Sequence, residues 1–186
     1  MRRFLLGAAL LAAMVGFAAA DDYLVDGTHA AVYFKVSHAG ISSTYGRFND
    51  VSGTFAFDPA DLAKSKFNLT IKADSIDTGN AKRDDHLRSP DFFNVKQYPA
   101  LTFKSTEVKS VKNGFQVTGD LTLHGVTKSV TFPLTGGKTT EFPKGVKRIG
   151  FSTELTIKRS DFSMDKMLEA IGDEVPISIS LEGTKK

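Results

Sequence analysis

The chain has 186 residues, with 24 Lys and Arg against 21 Asp and Glu and a formal charge of +3; discounting Arg2 and Arg3, which stand in a leader, takes +3 to +1. That balance excludes the dense basic field of a nucleic-acid binder. There is no cysteine, which excludes disulfides and thiolate metal sites and leaves stability to the core and to sheet closure.

The first residues read as a targeting segment. Arg2-Arg3 are a positive start, Phe4 to Phe17 an apolar core, and Ala18-Ala19-Ala20 a small-residue cleavage site before Asp21. The apolar run is shorter than the roughly 20 residues that span a bilayer, and no cysteine near the cut supports lipoprotein processing. Residues 1–20 are therefore expected to be a cleaved secretory signal, with export to the periplasm. Residues 21–186 are long enough for one domain with its own core.

Alternation with a period of two dominates the remainder of the chain. Ala30, Val32, Phe34, Val36 and His38 share one face of a first strand, and Gly40-Ile41-Ser42-Ser43 turns the chain. Phe48, Val51, Phe55 and Phe57 mark a second strand with Gly53 at a bend. Phe67, Leu69, Ile71 and Ala73 mark a third, after a turn at Asp58-Pro59-Ala60-Asp61. Leu101 and Phe103 lead to a tight hairpin at Asn113-Gly114, flanked by Phe115, Val117, Leu121 and Leu123. Val130, Phe132 and Leu134 precede a glycine loop from Gly136-Gly137 to Gly145, and Ile149, Phe151, Leu155 and Ile157 form a seventh strand. Met164 to Ala170 fits a short helix, and Val175, Ile177, Ile179 and Leu181 close the series. About eight antiparallel strands fit either a closed barrel or a sandwich.

One stretch breaks this pattern. From Thr78 to Arg88 the chain is polar and charged, with Thr78 or Asn80 as a helix N-cap and Pro90 as a stop. Phe92-Phe93 and Tyr98-Pro99 follow. A short helix leading into paired phenylalanines describes a flap laid on a β structure, with one wet and one apolar side. Arg83, Asp84, Asp85 and Arg88 read as a solvated or ion-paired surface that pins it.

The same stretch carries a resemblance. Asp84-Asp85-His86-Leu87-Arg88-Ser89-Pro90-Asp91-Phe92-Phe93, followed by Tyr98-Pro99-Ala100-Leu101-Thr102-Phe103, resembles the signature of the YceI-like family. Matching pieces are His29 to His38, Gly119 to Lys128, Lys158-Arg159-Ser160-Asp161-Phe162 and Gly172-Asp173-Glu174-Val175. The likeness runs from about Tyr23 to Gly183. Ala30 and Ser163 depart from the pattern, the latter where a glycine is common. The resemblance implies an all-β fold: an antiparallel eight-stranded lipocalin-like barrel, with one or two short helices in connecting flaps, that binds polyisoprenoid and other long-chain lipids.

An eight-stranded barrel is either packed solid or wide enough for one ligand. The resemblance implies the second. Phe34, Val36, Phe55, Phe57, Leu69, Ile71, Phe92, Phe93, Leu101, Phe103, Leu121, Phe151 and Ile177 would then line the cavity. His38 and Arg159 would meet a polar head group at the mouth, unless Arg159 instead pins the second helix. Gly53 and Ala73 are inward positions where a larger side chain would block ligand and spare the fold.

Chemistry beyond binding finds no support. His29 and His38 lie about 30 Å apart along an extended strand at about 3.3 Å per residue, and His124 sits at a strand end, where it satisfies local backbone. No His-Glu-x-x-His run and no Gly-x-Ser-x-Gly elbow occurs. The adjacent Asp84, Asp85 and His86 point about 100° apart on a helix and make no acid–base pair. The expected protein is not an enzyme and has no cofactor or metal. Its partner is a long-chain lipid and not a nucleic acid; a homodimer and transient membrane contact are both compatible with the chain.

Overall fold

Alternating apolar residues build one antiparallel sheet that closes on itself. The computed structural model describes residues 20–186; apart from Ala20, the expected leader lies outside the described residues. The strands are β1 (Asp21–Val25), β2 (Ala31–His38), β3 (Ser42–Phe48), β4 (Val51–Phe57), β5 (Lys66–Lys72) and β6 (Ile76–Asp77), followed by α1 (Ala81–Arg88). Then come β7 (Ala100–Val111), β8 (Gly114–Leu123), β9 (Val126–Glu141), β10 (Lys147–Lys158) and β11 (Glu174–Lys185).

Eleven segments make eight strands, because three strands are bent. Both β1 and β2 pair with β11, at Gly183–Lys185 and at Ile177–Ser180. In the same way β4 pairs with β1 and β3 with β2, while β5 pairs with β4 and β6 with β3. The ring therefore runs β1-β4-β5-β7-β8-β9-β10-β11 and returns to β1, with β2, β3 and β6 continuing the bent strands toward one end. The β1–β11 pairing closes the ring and removes the free edges of those two strands there.

Four local expectations change. A first strand, β1, precedes those that alternation marks, and β3 starts at Ser42, so the turn is confined to Ala39-Gly40-Ile41. Gly136 and Gly137 lie inside β9 rather than in a loop; the turn comes at residues 142–146. Gly136 sits at a bulge opposite Gly150/Phe151, where a Cβ would stand 2.3 Å from the Gly150 carbonyl oxygen. Met164 to Ala170 is not helical. The Arg159 guanidinium takes the carbonyls of Met164 and Lys166 at 2.6 and 2.9 Å, acceptors that helical N–H groups would need. A single 3-10 turn, Arg159–Phe162, opens this segment, and Ser163 closes it in the left-handed region at φ 57, the conformation a glycine would supply. Among the described residues α1 is the one α-helix.

The two ends of the barrel differ. At the narrow end, the Phe55 ring stacks on Tyr23 and Phe67 at 5.2 and 5.6 Å between centroids and meets Phe151 edge-on. Phe57 meets Phe115 and Phe151 edge-on. At the wide end, β6 pairs with β3 but not with β7, and α1 covers the opening. Asn80 caps the helix by accepting from the Arg83 N–H at 3.0 Å, and the helix ends at Arg88, two residues before Pro90. Arg88 donates to the Asp74 and Ile76 carbonyls, both at 2.8 Å, which fixes the flap to β6. Phe92 packs with Leu123, Ile157, Phe162 and Met164, and Phe93 meets Phe48 edge-on at 5.6 Å.

Truncating the ring at the centre of the narrow end should be costly. Phe55→Ala is expected to lose about 3–5 kcal/mol in urea unfolding, because its three ring partners cannot collapse into the space. Acid should act on the β1 seam. Lys147 and Lys185 hold Asp21 at a pKa of about 2, against an ordinary 3.8. Hydrogen bonds from Thr28, Arg148 and His29 push Asp26 lower as well. Both pKa values are depressed by folding, so the stability they contribute is complete above about pH 4 and is lost as pH falls toward 2. The urea midpoint of the protein should fall across that window, and that of Asp26→Asn should fall less.

Candidate functional site

Between the aromatic floor and the flap lies a cavity of about 470 Å³. Every strand of the ring except β1, together with the flap, contributes inward side chains to it, because alternation sends every second residue to the same side. Phe34, Val36, His38, Phe55, Leu69, Ile71, Phe92, Phe93, Leu101, Phe103, Leu121, Phe151, Arg159 and Ile177 all stand in its wall. Phe57 does not: it faces the same way as Phe55 but lies one step further down, in the floor against Phe115 and Phe151. Further apolar residues complete the wall, among them Val117, Val130, Phe132, Leu155, Ile179 and Leu181. Each occupies an alternating position of a strand already evident in the sequence.

Two glycines let the wall rings lie flat. A Cβ on Gly46 would fall 2.3 Å from Phe34 Cζ, and one on Gly119 would fall 2.5 Å from Phe103 Cζ. By contrast, Gly53 and Ala73 are not blocking sites. A Cβ at Gly53, whose φ is 148, would stand 2.2 Å from the Asn68 carbonyl oxygen. Ala73 is buried in the 3-10 turn after β5, away from the cavity.

Arg159 has a structural task. It is 5% exposed and donates to four backbone carbonyls: Met164, Lys166, Ile171 at 2.7 Å and Gly172 at 3.0 Å. Burial pushes its pKa down, opposed by the nearby carboxylates of Asp173, Asp165 and Glu169. The segment it organises rests on the β2–β3 hairpin through Ala39 N–H to Ala170 O at 2.6 Å and Gly172 N–H to Ser37 O at 2.9 Å. His38 lies on that seam, bridged through its backbone to Ile171. His124 Nδ1 lies 3.2 Å from the Phe162 carbonyl, a backbone contact.

The flap is wired differently from a solvated charged surface. Asp84 is buried, and its carboxylate accepts from both the backbone N–H and the hydroxyl of Thr78. The Thr78 hydroxyl oxygen accepts in turn from Arg83 Nε at 2.7 Å. Asp85 does pair with Arg88, at 3.1 Å. Thr78, Arg83 and His86 all reach the cavity, with Ser37 and Thr44 from the facing hairpin. These polar positions carry no periodic signature, so strand alternation does not point to them. Among the described residues, no group of three or more His, Asp or Glu side chains is placed to hold a metal.

Comparison with known proteins matches this architecture. Residues 23–183 match the model of the YceI-like domain. Protein YceI of Escherichia coli O17:K52:H18 is 44% identical over 190 residues, covering all of both chains. The crystal structure of Burkholderia cenocepacia BcnA is 29% identical at a TM-score of 0.77, covering 85% of this chain and 98% of that one. A polyisoprenoid binding domain from Saccharophagus degradans shares the fold at a TM-score of 0.67 and 21% identity, covering 88% and 98%.

Removing the guanidinium at position 159 would leave four carbonyls without their donor. Arg159→Met should cost at least about 2–4 kcal/mol in thermal or urea unfolding. Arg159→Lys should recover only part of this, since one ammonium cannot reach all four.

Proposed function

The chain belongs to the YceI-like family, and from that premise we propose that it holds a long-chain amphiphilic lipid, of isoprenoid or related type, in the barrel cavity. The observation that carries the reading is a cavity of about 470 Å³ whose wall is mostly hydrocarbon. Its volume lies within the roughly 300–1,000 Å³ typical of small-molecule sites. At roughly 30 Å³ per CH₂-sized group, the liquid volume of a water molecule, the cavity takes on the order of fifteen chain carbons. A longer chain would extend through the mouth beside the flap. The Saccharophagus degradans polyisoprenoid binding domain, with the same fold, is in keeping with this cargo.

Energetics favour exchange over permanent capture. Each buried CH₂ contributes about 0.8 kcal/mol relative to water, so a long isoprenoid counted that way would exceed the practical limit of about −18 to −21 kcal/mol. Such lipids reside in membranes, however, and transfer from one apolar medium to another is nearly balanced. A barrel of this kind therefore suits carriage, storage or sequestration without catalysis. The leader-like start of the chain supports a periplasmic setting for that role, with transient membrane contact at loading and release.

Mass spectrometry of organic extracts from the protein, purified from the periplasm without detergent, tests the reading. A stoichiometric long-chain lipid is expected, displaced in Val130→Trp and Leu121→Trp, whose larger rings fill the cavity. No lipid in the extract, together with failure to take up added polyprenyl or quinone ligands, would return the barrel to a ligand-free scaffold.

A further inference from the structure

The lipid reading leaves the head group undefined, and the flap supplies what is missing. We propose that Arg83 receives an oxyanion, a phosphate or carboxylate, at the head of the amphiphile whose chain occupies the cavity. The proposal rests on the lipid-binding reading and names the class of ligand within it.

Polar groups in the cavity wall fall into two sets: Thr102, Ser152, Thr153 and Arg159 stand on β7, on β10 and in the turn after it, and the rest gather at the flap. Ser37, Thr44, Thr78, Arg83 and His86 come from the β2–β3 hairpin and the flap that faces it. Thr44 lies on the same face of β3 as Gly46, whose Cβ position would be 2.9 Å from Thr78 Cγ2. Arg83 and His86, one helical turn apart, share a flank of α1. Together they define a polar corner at the mouth of the cavity.

Within that corner Arg83 is aimed and unspent. Its Nε donates to the Thr78 hydroxyl at 2.7 Å and its Nη2 to the Thr78 carbonyl at 2.8 Å. Buried Asp84 fixes that hydroxyl from behind. Arg83 has five N–H donors, and three remain. Among the described residues no carboxylate lies within 4.0 Å of it, whereas Arg47, Arg88 and Arg148 are ion-paired and Arg159 is spent on carbonyls. The acids around it are occupied: Asp84 by Thr78, Asp85 by Arg88, and Asp91 by His86 and Lys166. A guanidinium fork held in this way matches the paired oxygens of a phosphate or carboxylate.

Farnesyl phosphate and farnesol, equal in chain and different in head, test this by titration into delipidated protein. Farnesyl phosphate should bind about 10- to 100-fold more tightly, the advantage of hydrogen bonds to a charged group, and the ratio should shrink with added salt. Arg83→Gln should bring the ratio near one, and a cooperative urea transition shows that the variant is folded. Thr78→Val should lose part of the ratio by releasing the fork. A ratio near one in the unaltered protein, or one unchanged in Arg83→Gln, overturns the proposal. If inorganic phosphate alone at millimolar concentration displaces farnesyl phosphate from the unaltered protein, the site takes free anions and the head-group assignment falls. If neither farnesyl ligand binds, the lipid reading itself has failed.

Discussion

The contact on which the rest of the barrel depends is the ring cluster at its narrow end. Tyr23, Phe55 and Phe67 come from the adjacent strands β1, β4 and β5, and Phe151 comes from β10, which pairs with none of them. The stacked contacts run along the ladders, whereas the edge-on contacts of Phe151 with Phe55 and Phe67 join strands that no ladder links. With no cysteine in the chain, this cluster reinforces the β1–β11 pairing that closes the sheet. A cavity removes dispersion contacts from its own lining, and the floor offsets that loss.

The wide end is held by polar means. Two arginines, Arg88 and Arg159, place their guanidinium groups on backbone carbonyls of irregular segments that strand ladders cannot satisfy. One fixes the flap to β6, and the other folds the segment between β10 and β11 against the hairpin. Side-chain donors thus do at this end what sheet pairing does elsewhere. The bent strands allow it, since β2, β3 and β6 leave the ring at Asp26, Asn49 and Ala73 and open a place for the helix.

Much of this was legible in the sequence because alternation is a local property. The inward sets on β2, β5, β7, β8, β10 and β11, the Asn80 cap and the turn near Asn113 all follow from residues within a few positions of one another. What lay beyond reach was position along the barrel axis. Phe55 and Phe57 are equivalent by alternation, yet one borders the cavity and the other lies beneath it, a distinction made by closure and not by pattern. The segment from Met164 to Ala170 has helical composition, but an arginine several residues earlier claims its carbonyls. Arg83 and Arg88 look alike in sequence, yet Arg83 donates to Thr78 within the flap and Arg88 to the carbonyls of Asp74 and Ile76. Asp84 likewise reads as surface, yet it is buried.

The glycines opposite Phe34 and Phe103 give the barrel an adjustable bore. Each ring lies flat over a neighbouring backbone because Gly46 and Gly119 offer no Cβ. A methyl group at position 46 would displace the Phe34 ring, whereas one at position 119 would also meet the Lys104 carbonyl oxygen at 2.5 Å. The width of the lumen is thus set partly by residues outside the cavity wall.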